Sequence, residues 1–264
     1  MKIIGEKING TRKRVAKAIA EKDTEYIKNL AIKQAEAGSS WLDVNAGTHP
    51  EREPDDLVWL VETIQSVVDI PLCLDSANPE ALKEGIQAVD KTPMINSISG
   101  EPIRLEKILP IVVEHGCEVI ALALDAKKIP ETCEKRMEVI DVIMAASRKA
   151  GVLDDKVFLD PLAMTIATNN QSGVVACETI RTAKEKYPEV HFTMGLSNIS
   201  FGLPARKQIN RVFLTLAMQA GLDSAILDPL DKELMAAIVT TRLLLGKDKH
   251  CMNYLKASRS GLFD

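Results

Sequence analysis

Cysteine is sparse and unpatterned in this chain: Cys73, Cys117, Cys133, Cys177 and Cys251 are scattered without C-x-x-C spacing. An odd, dispersed set suits reduced thiols rather than a disulfide framework. Histidine is scarcer still, and none of the four residues forms an H-x-H or H-E-x-x-H pair, so no resident metal is expected. No apolar run approaches the roughly 20 residues of a membrane-spanning helix. The formal charge is −4, with acids and bases interleaved, which leaves no basic face for a nucleic-acid backbone. The start, Met1-Lys2-Ile3-Ile4-Gly5-Glu6, enters a strand-like segment with no apolar signal core, and a cytoplasmic location is expected. No G-x-G-x-x-G follows the first strand and no G-x-x-x-x-G-K-[ST] occurs, which argues against a nucleotide-binding open sheet.

What is present is a repeated ending. Six short apolar runs close on an acid or amide: Trp41-Leu42-Asp43, Leu72 to Asp75, Met94-Ile95-Asn96, Val157 to Asp160, Val190 to Asn198, and Ala225 to Asp228. They recur at intervals of roughly thirty residues with helical periodicity between them, the pattern of a ring of parallel strands whose carboxyl ends form the working face. The chain has 264 residues, 46% of them hydrophobic and 27% charged, which matches one (β/α)8 barrel of roughly 250 residues. The expectation is a single barrel domain spanning 1–264.

In chain order, Lys2 to Gly5 reads as the first strand, with Glu6 to Gly10 as its loop. Asp23 is placed to cap a helix that Gly38 stops. Asp55 opens a helix with one apolar stripe, and Asn78-Pro79 opens the next. Strand-like segments follow at Pro93 to Asn96 and Glu118 to Leu124, and Ser97 to Gly100 reads as a tight loop. The long segment from Pro161 to Gly173, rich in Thr and Asn, has the length of a functional loop. Eight strands alternate with eight helices, and a polar tail follows.

The inferred mouth collects Asp43, Asn45, Asp75, Asn96, Asp160, Asn198 and Asp228, with few fixed cations. Such a site prefers a donor-rich ligand, and a carboxylate accepts two parallel N–H bonds from the edge of a 2-amino-4-oxo heterocycle. The alternative is that individual acids cap turns or pair with nearby lysines.

Those segments, together with Ile3-Ile4-Gly5-Glu6, Ile8-Asn9-Gly10, Asp160-Pro161-Leu162, Gly195-Leu196-Ser197-Asn198 and Ile209-Asn210-Arg211, resemble the pterin-binding barrel family. The likeness is greatest to its 5-methyltetrahydrofolate:corrinoid protein methyltransferase branch and covers almost the whole chain. It implies that Asp75, Asn96 and Asp160 bind the pterin ring and that Asn198 faces its N5 nitrogen. Gly195, Ser197 and Arg206 would complete the contacts to pterin and glutamate tail, with Asp43 supporting the site from behind. It also implies a homodimer, and a corrinoid (cobalamin) supplied by a partner protein, since the chain lacks a D-x-H-x-x-G cobalamin signature.

Methyl transfer from a tertiary amine needs a proton or strong hydrogen bond at nitrogen as the bond breaks. A neutral amide can offer either N–H or C=O there, which makes Asn198 a hydrogen-bond stabiliser rather than a general acid. Dihydropteroate synthase is the competing activity, but that branch carries Ser-Arg-Lys where this chain has Leu196-Ser197-Asn198. Phe201 departs from the polar residue common in the methyltransferases. A folate-binding protein without turnover is the reading from another class.

Overall fold

The computed structural model describes residues 1–126 and 129–264. Eight parallel strands form one sheet in the order β7-β6-β5-β4-β3-β2-β1-β8. They are β1 (Lys2–Asn9), β2 (Trp41–Asn45), β3 (Leu72–Asp75), β4 (Met94–Ser99), β5 (Glu118–Leu122), β6 (Val157–Asp160), β7 (His191–Phe192) and β8 (Ser224–Leu227). Two of the strands meet to close the ring. Gly195 bridges Ile226 in parallel, and the Ile226 N–H donates to the Met194 carbonyl at 2.9 Å. Side chains reinforce this thin seam: Asp223 accepts the Phe192 N–H at 2.8 Å and lies 2.8 Å from His191 Nδ1.

Strand residues alternate between the two faces of a sheet, and here each face has its own core. Outward residues such as Leu42, Leu74, Ile95, Val119 and Leu159 pack against the surrounding helices. Inward residues Ile4, Trp41, Cys73, Met94, Ile120 and Phe158 form a separate apolar plug inside the barrel. One step of the alternation further along the strands stand Glu6, Asp43, Asp75, Asn96 and Asp160. The plug thus fixes the floor of the mouth.

The helices are α1 (Lys13–Glu21), α2 (Thr24–Glu36), α3 (Glu53–Gln65), α4 (Pro79–Ala88), α5 (Pro102–His115), α6 (Cys133–Ala150), α7 (Ser172–Lys186), α8 (Arg206–Ala220), α9 (Lys232–Leu244) and α10 (Met252–Arg259). Asp23 caps α2 by accepting the Tyr26 N–H, and Asn78 caps α4 by accepting the Glu80 N–H. There are ten α-helices among the described residues rather than eight, because two precede β2 and the polar tail folds into α10.

β5 stops at Leu122 rather than Leu124, and three further strands depart more from the sequence expectation. β1 continues to Asn9 through an irregular register between Gly5 and Ile8, so Glu6 and Lys7 belong to the strand and not to a loop. β4 likewise runs past Asn96 to Ser99, with a register shift between Asn96 and Ile98. The apolar run from Val190 yields only two residues of regular strand, and Leu196–Ser200 coil into a 3-10 turn. Hydrophobic alternation does not register bulges or short turns, since neither interrupts burial.

Phe158 is fully buried, meets Trp41 edge-on with centroids 5.9 Å apart and stacks on His191 at 4.7 Å. Phe158→Ala should lower the unfolding free energy by about 3–5 kcal/mol, read from the denaturant midpoint, because the closed barrel cannot collapse onto the void.

Candidate functional site

The polar tier above the plug is a set of bonded pairs. Asp75 and Asn96 are register partners on β3 and β4. Asn96 Nδ2 donates to Asp43 Oδ1 at 3.2 Å, and Asn45 Nδ2 donates to Asp75 Oδ2 at 2.9 Å. On the other side, Asp160 Oδ1 accepts the Leu162 N–H at 2.7 Å, and the carboxylate also takes a backbone hydrogen bond from Gly195. Asp43 with Asn96 and Asn45 with Asp75 therefore form two bonded pairs that strand register sets side by side, and Asp160 is tied to the turn that carries Asn198.

Burial shapes the charge of these acids. Asp43 is 3% exposed, and its carboxyl is pushed well up by burial and by the neighbouring Asp75, against hydrogen bonds from Asn96 and the Cys73 thiol. Burial also raises Asp75, partly offset by the Asn45 amide. Asp160 is pushed up to about 6 by burial, against hydrogen bonds from Leu162 and Gly195 and the charge of Arg136. Raised carboxyl pKa values mark groups short of donors, which a ligand rich in N–H can supply. Asn45 Oδ1, which can only accept, is buried without a partner, a deficit of the same sign, and the Thr193 hydroxyl is also buried without one.

Asn198 is exposed on the 3-10 turn, and a Cβ at Gly195 would lie 3.0 Å from Asn198 Nδ2. Gly195 thus lets the amide fold close to the backbone that Asp160 grips. Arg206 braces the turn from α8, donating from Nη2 to the Ser197 carbonyl at 2.7 Å and from Nε to Ser200 Oγ at 3.1 Å. The sequence reading gave Arg206 to the substrate, and the structure shows its guanidinium already engaged in holding the turn. Beside the turn lies a cleft of about 660 Å³ lined by Glu6, Arg12, Ser197, Phe201, Arg206 and Asp228, among others.

The mouth holds more cations than its strand ends imply. Lys7 Nζ meets Asp228 Oδ2 at 2.8 Å, and Arg12 Nη2 meets Glu6 Oε1 at 2.6 Å. Lys7 comes into view through the irregular course of β1, and Arg12 from the start of α1. His49 is exposed, with Glu51 Oε2 3.9 Å away. Among the described residues, no group of three or more His, Cys, Asp or Glu is placed to hold a metal ion. Arg136, buried behind Asp160, carried no signal in the sequence because it sits among ordinary helix charges.

Comparison with known proteins agrees with this arrangement. Residues 5–228 match the family model described as pterin binding enzyme. The chain is 43% identical over 263 residues to the methylcorrinoid:tetrahydrofolate methyltransferase of Eubacterium limosum, covering 99% of this chain and 97% of that protein. It is 32% identical over 237 residues to the methionine synthase of Mycobacterium tuberculosis, covering 85% of this chain but only 20% of that much longer protein. In fold it is similar to dihydropteroate synthase from Xanthomonas albilineans in complex with 7,8-dihydropteroate (TM-score 0.70, 19% identity, 92% of this chain and 93% of that chain). The dihydropteroate synthase of Yersinia pestis gives a TM-score of 0.69 at 17% identity, covering 93% of each chain. A barrel with acids and amides above an apolar plug, and a family match that runs from the first strand to Asp228, together lead to one conclusion: the chain belongs to the pterin-binding enzyme family.

Proposed function

We propose that this enzyme moves a methyl group between N5 of 5-methyltetrahydrofolate or tetrahydrofolate and the cobalt of a corrinoid protein. The observation that carries this is identity of 43% over nearly the full length of both chains to a methylcorrinoid:tetrahydrofolate methyltransferase. The donor-poor mouth supports it, because a pterin's amino and ring N–H groups supply what Asp75, Asp160 and the orphaned oxygen of Asn45 lack. In this reading the whole of 1–264 acts as one barrel domain.

Asp75, Asn96 and Asp160 bind the pterin edges, and Asp43 holds Asn96 from beneath. Gly195 and Ser197 line the same side of the ring, and Arg206 keeps their turn in shape while facing the tail. Asn198 stands at N5. As the carbon–nitrogen bond breaks, N5 gains basicity and takes a proton from solvent, which it returns when the transfer runs the other way; an amide aimed at N5 stabilises that change more than it stabilises bound substrate. In the reverse direction the same amide faces the nitrogen lone pair that attacks the methyl group. The corrinoid arrives on its own protein and supplies the cobalt that gives or takes methyl, so it is a second substrate approaching the open mouth.

A homodimer has a candidate surface. Val174 on α7 and Val212 and Leu216 on α8 are half-exposed or more, around an apolar groove of about 610 Å³ that also includes Ile166, Cys177 and Phe213. Apolar patches of this kind mark association sites, and a second copy of the chain is the occupant proposed here. The cytoplasm suits a chain whose five cysteines are all unpaired.

Mixing the protein with 5-methyltetrahydrofolate and chemically reduced cobalamin should produce methylcobalamin, followed by absorbance; no turnover with free cofactor or with corrinoid proteins counts against the assignment. Asn198→Ala should lower kcat by about a hundredfold while folate affinity changes only a few-fold, and equal losses would make Asn198 a binding residue alone. Folded-state proton affinity at Asp160 is raised, and pterin donors favour its carboxylate. Folate binding should therefore weaken as pH falls through about 6 and lose that step in Asp160→Asn, as seen by calorimetry. Val212→Glu combined with Leu216→Glu should give monomers by light scattering, and an unchanged mass would place the dimer contact elsewhere.

A further inference from the structure

Among the described residues, Arg136 is the largest fully buried side chain, 2% exposed, on the first turn of α6. A buried guanidinium ordinarily sits against a carboxylate, yet among the described residues Arg136 takes part in no salt bridge. It spends its hydrogen bonds on two backbone carbonyls: Nε donates to Pro130 O at 3.1 Å and Nη1 donates to Pro161 O at 2.5 Å. The second contact is the informative one. Pro161 O belongs to the peptide unit whose other end, the Leu162 N–H, donates to Asp160 Oδ1 at 2.7 Å.

We propose that Arg136 is a positioning residue for Asp160, acting through the Pro161–Leu162 peptide to fix the orientation of the carboxylate and keep it ionised for ligand binding. A guanidinium on the carbonyl oxygen draws electrons along the amide and makes the N–H at its far end a stronger donor. The gripped peptide leads directly into Leu162, whose φ of 65° lies in the left-handed region that a branched side chain seldom adopts. By holding Pro130 as well, the same side chain joins the segment before α6 to the loop after β6.

The other groups around Asp160 leave this role to Arg136. Its register partner on β5 is the apolar Leu122, and Gly195 contributes an N–H from the β7 side. Asp43 and Asp75 stand on β2 and β3, and Glu131 and Cys133 lie near Arg136 rather than against the carboxylate. Arg136 is the cation acting on Asp160 among the described residues.

The inference rests on Asp160 being a pterin ligand, and the test separates the two claims. In ligand-free protein carrying carboxyl-labelled aspartate, carbon NMR should show an Asp160 resonance, identified by its absence in Asp160→Asn, titrating with a midpoint of about 6. Arg136→Met should raise that midpoint by about one unit and weaken 5-methyltetrahydrofolate binding at pH 6 by about fivefold. Arg136→Lys keeps the charge but cannot grip both carbonyls, so its midpoint should rise by about half a unit. A midpoint unmoved in folded Arg136→Met overturns the proposal, and if that variant does not fold, an unmoved midpoint in Arg136→Lys does so. Failure of the wild-type protein to bind folate would sink the functional assignment while the aspartate titration still decides the link to Arg136.

Discussion

The two-residue repeat of a β-strand is the constraint on which the site depends. In a closed parallel barrel every second side chain points into a space too narrow for water at one level and open to ligand at the next. Ile4, Trp41, Cys73, Met94 and Phe158 fill the lower level, and the same geometry sends Glu6, Asp43, Asp75, Asn96 and Asp160 to the upper one. A one-residue slip in β1, β2, β3 or β6 would drop an acid among the outer helices. Packing of the plug and assembly of the mouth are therefore one event.

The polar tier is arranged for a guest rather than for the empty fold. Asp43, Asp75 and Asp160 are all pushed toward the protonated form by burial, and amides provide much of the compensation. That arrangement costs stability in the free protein, since buried carboxylates short of donors hold on to their protons. A ligand bringing several N–H groups removes the deficit. Neutral amides also suit chemistry in which the reacting nitrogen changes protonation, because they can turn from donor to acceptor without a change in charge.

Around that tier the turn after Gly195 does the fine placement. It is held from below by the contact between Asp160 and the Gly195 backbone and from the side by Arg206, so the exposed Asn198 amide stands on a braced support. Arg136 plays a comparable part behind Asp160. Both arginines bond to carbonyl oxygens, and both reach the site from the first turn of a helix on the outer ring.

How much of this could be read from the residues alone varies from element to element. The strand-end acids and amides were legible because an apolar run broken by a single acid leaves a period in the sequence, and the caps at Asp23 and Asn78 because capping is local. β4 past Asn96, the inclusion of Glu6 and Lys7 in β1 and the 3-10 turn bearing Asn198 were not, since bulges and short turns depend on register with the neighbouring strand. The engagement of Arg206 and the burial of Arg136 were hidden for a related reason: a charged residue in a helix looks alike whether it faces water or a carbonyl far along the chain. The sequence by itself determined the barrel and the chemical character of its mouth, because alternation and periodicity are properties of neighbours in the chain. Only the tertiary structure decided which polar groups meet, how far burial shifts their protons and which cations hold the loops, because those depend on distances between segments that the order of residues does not encode.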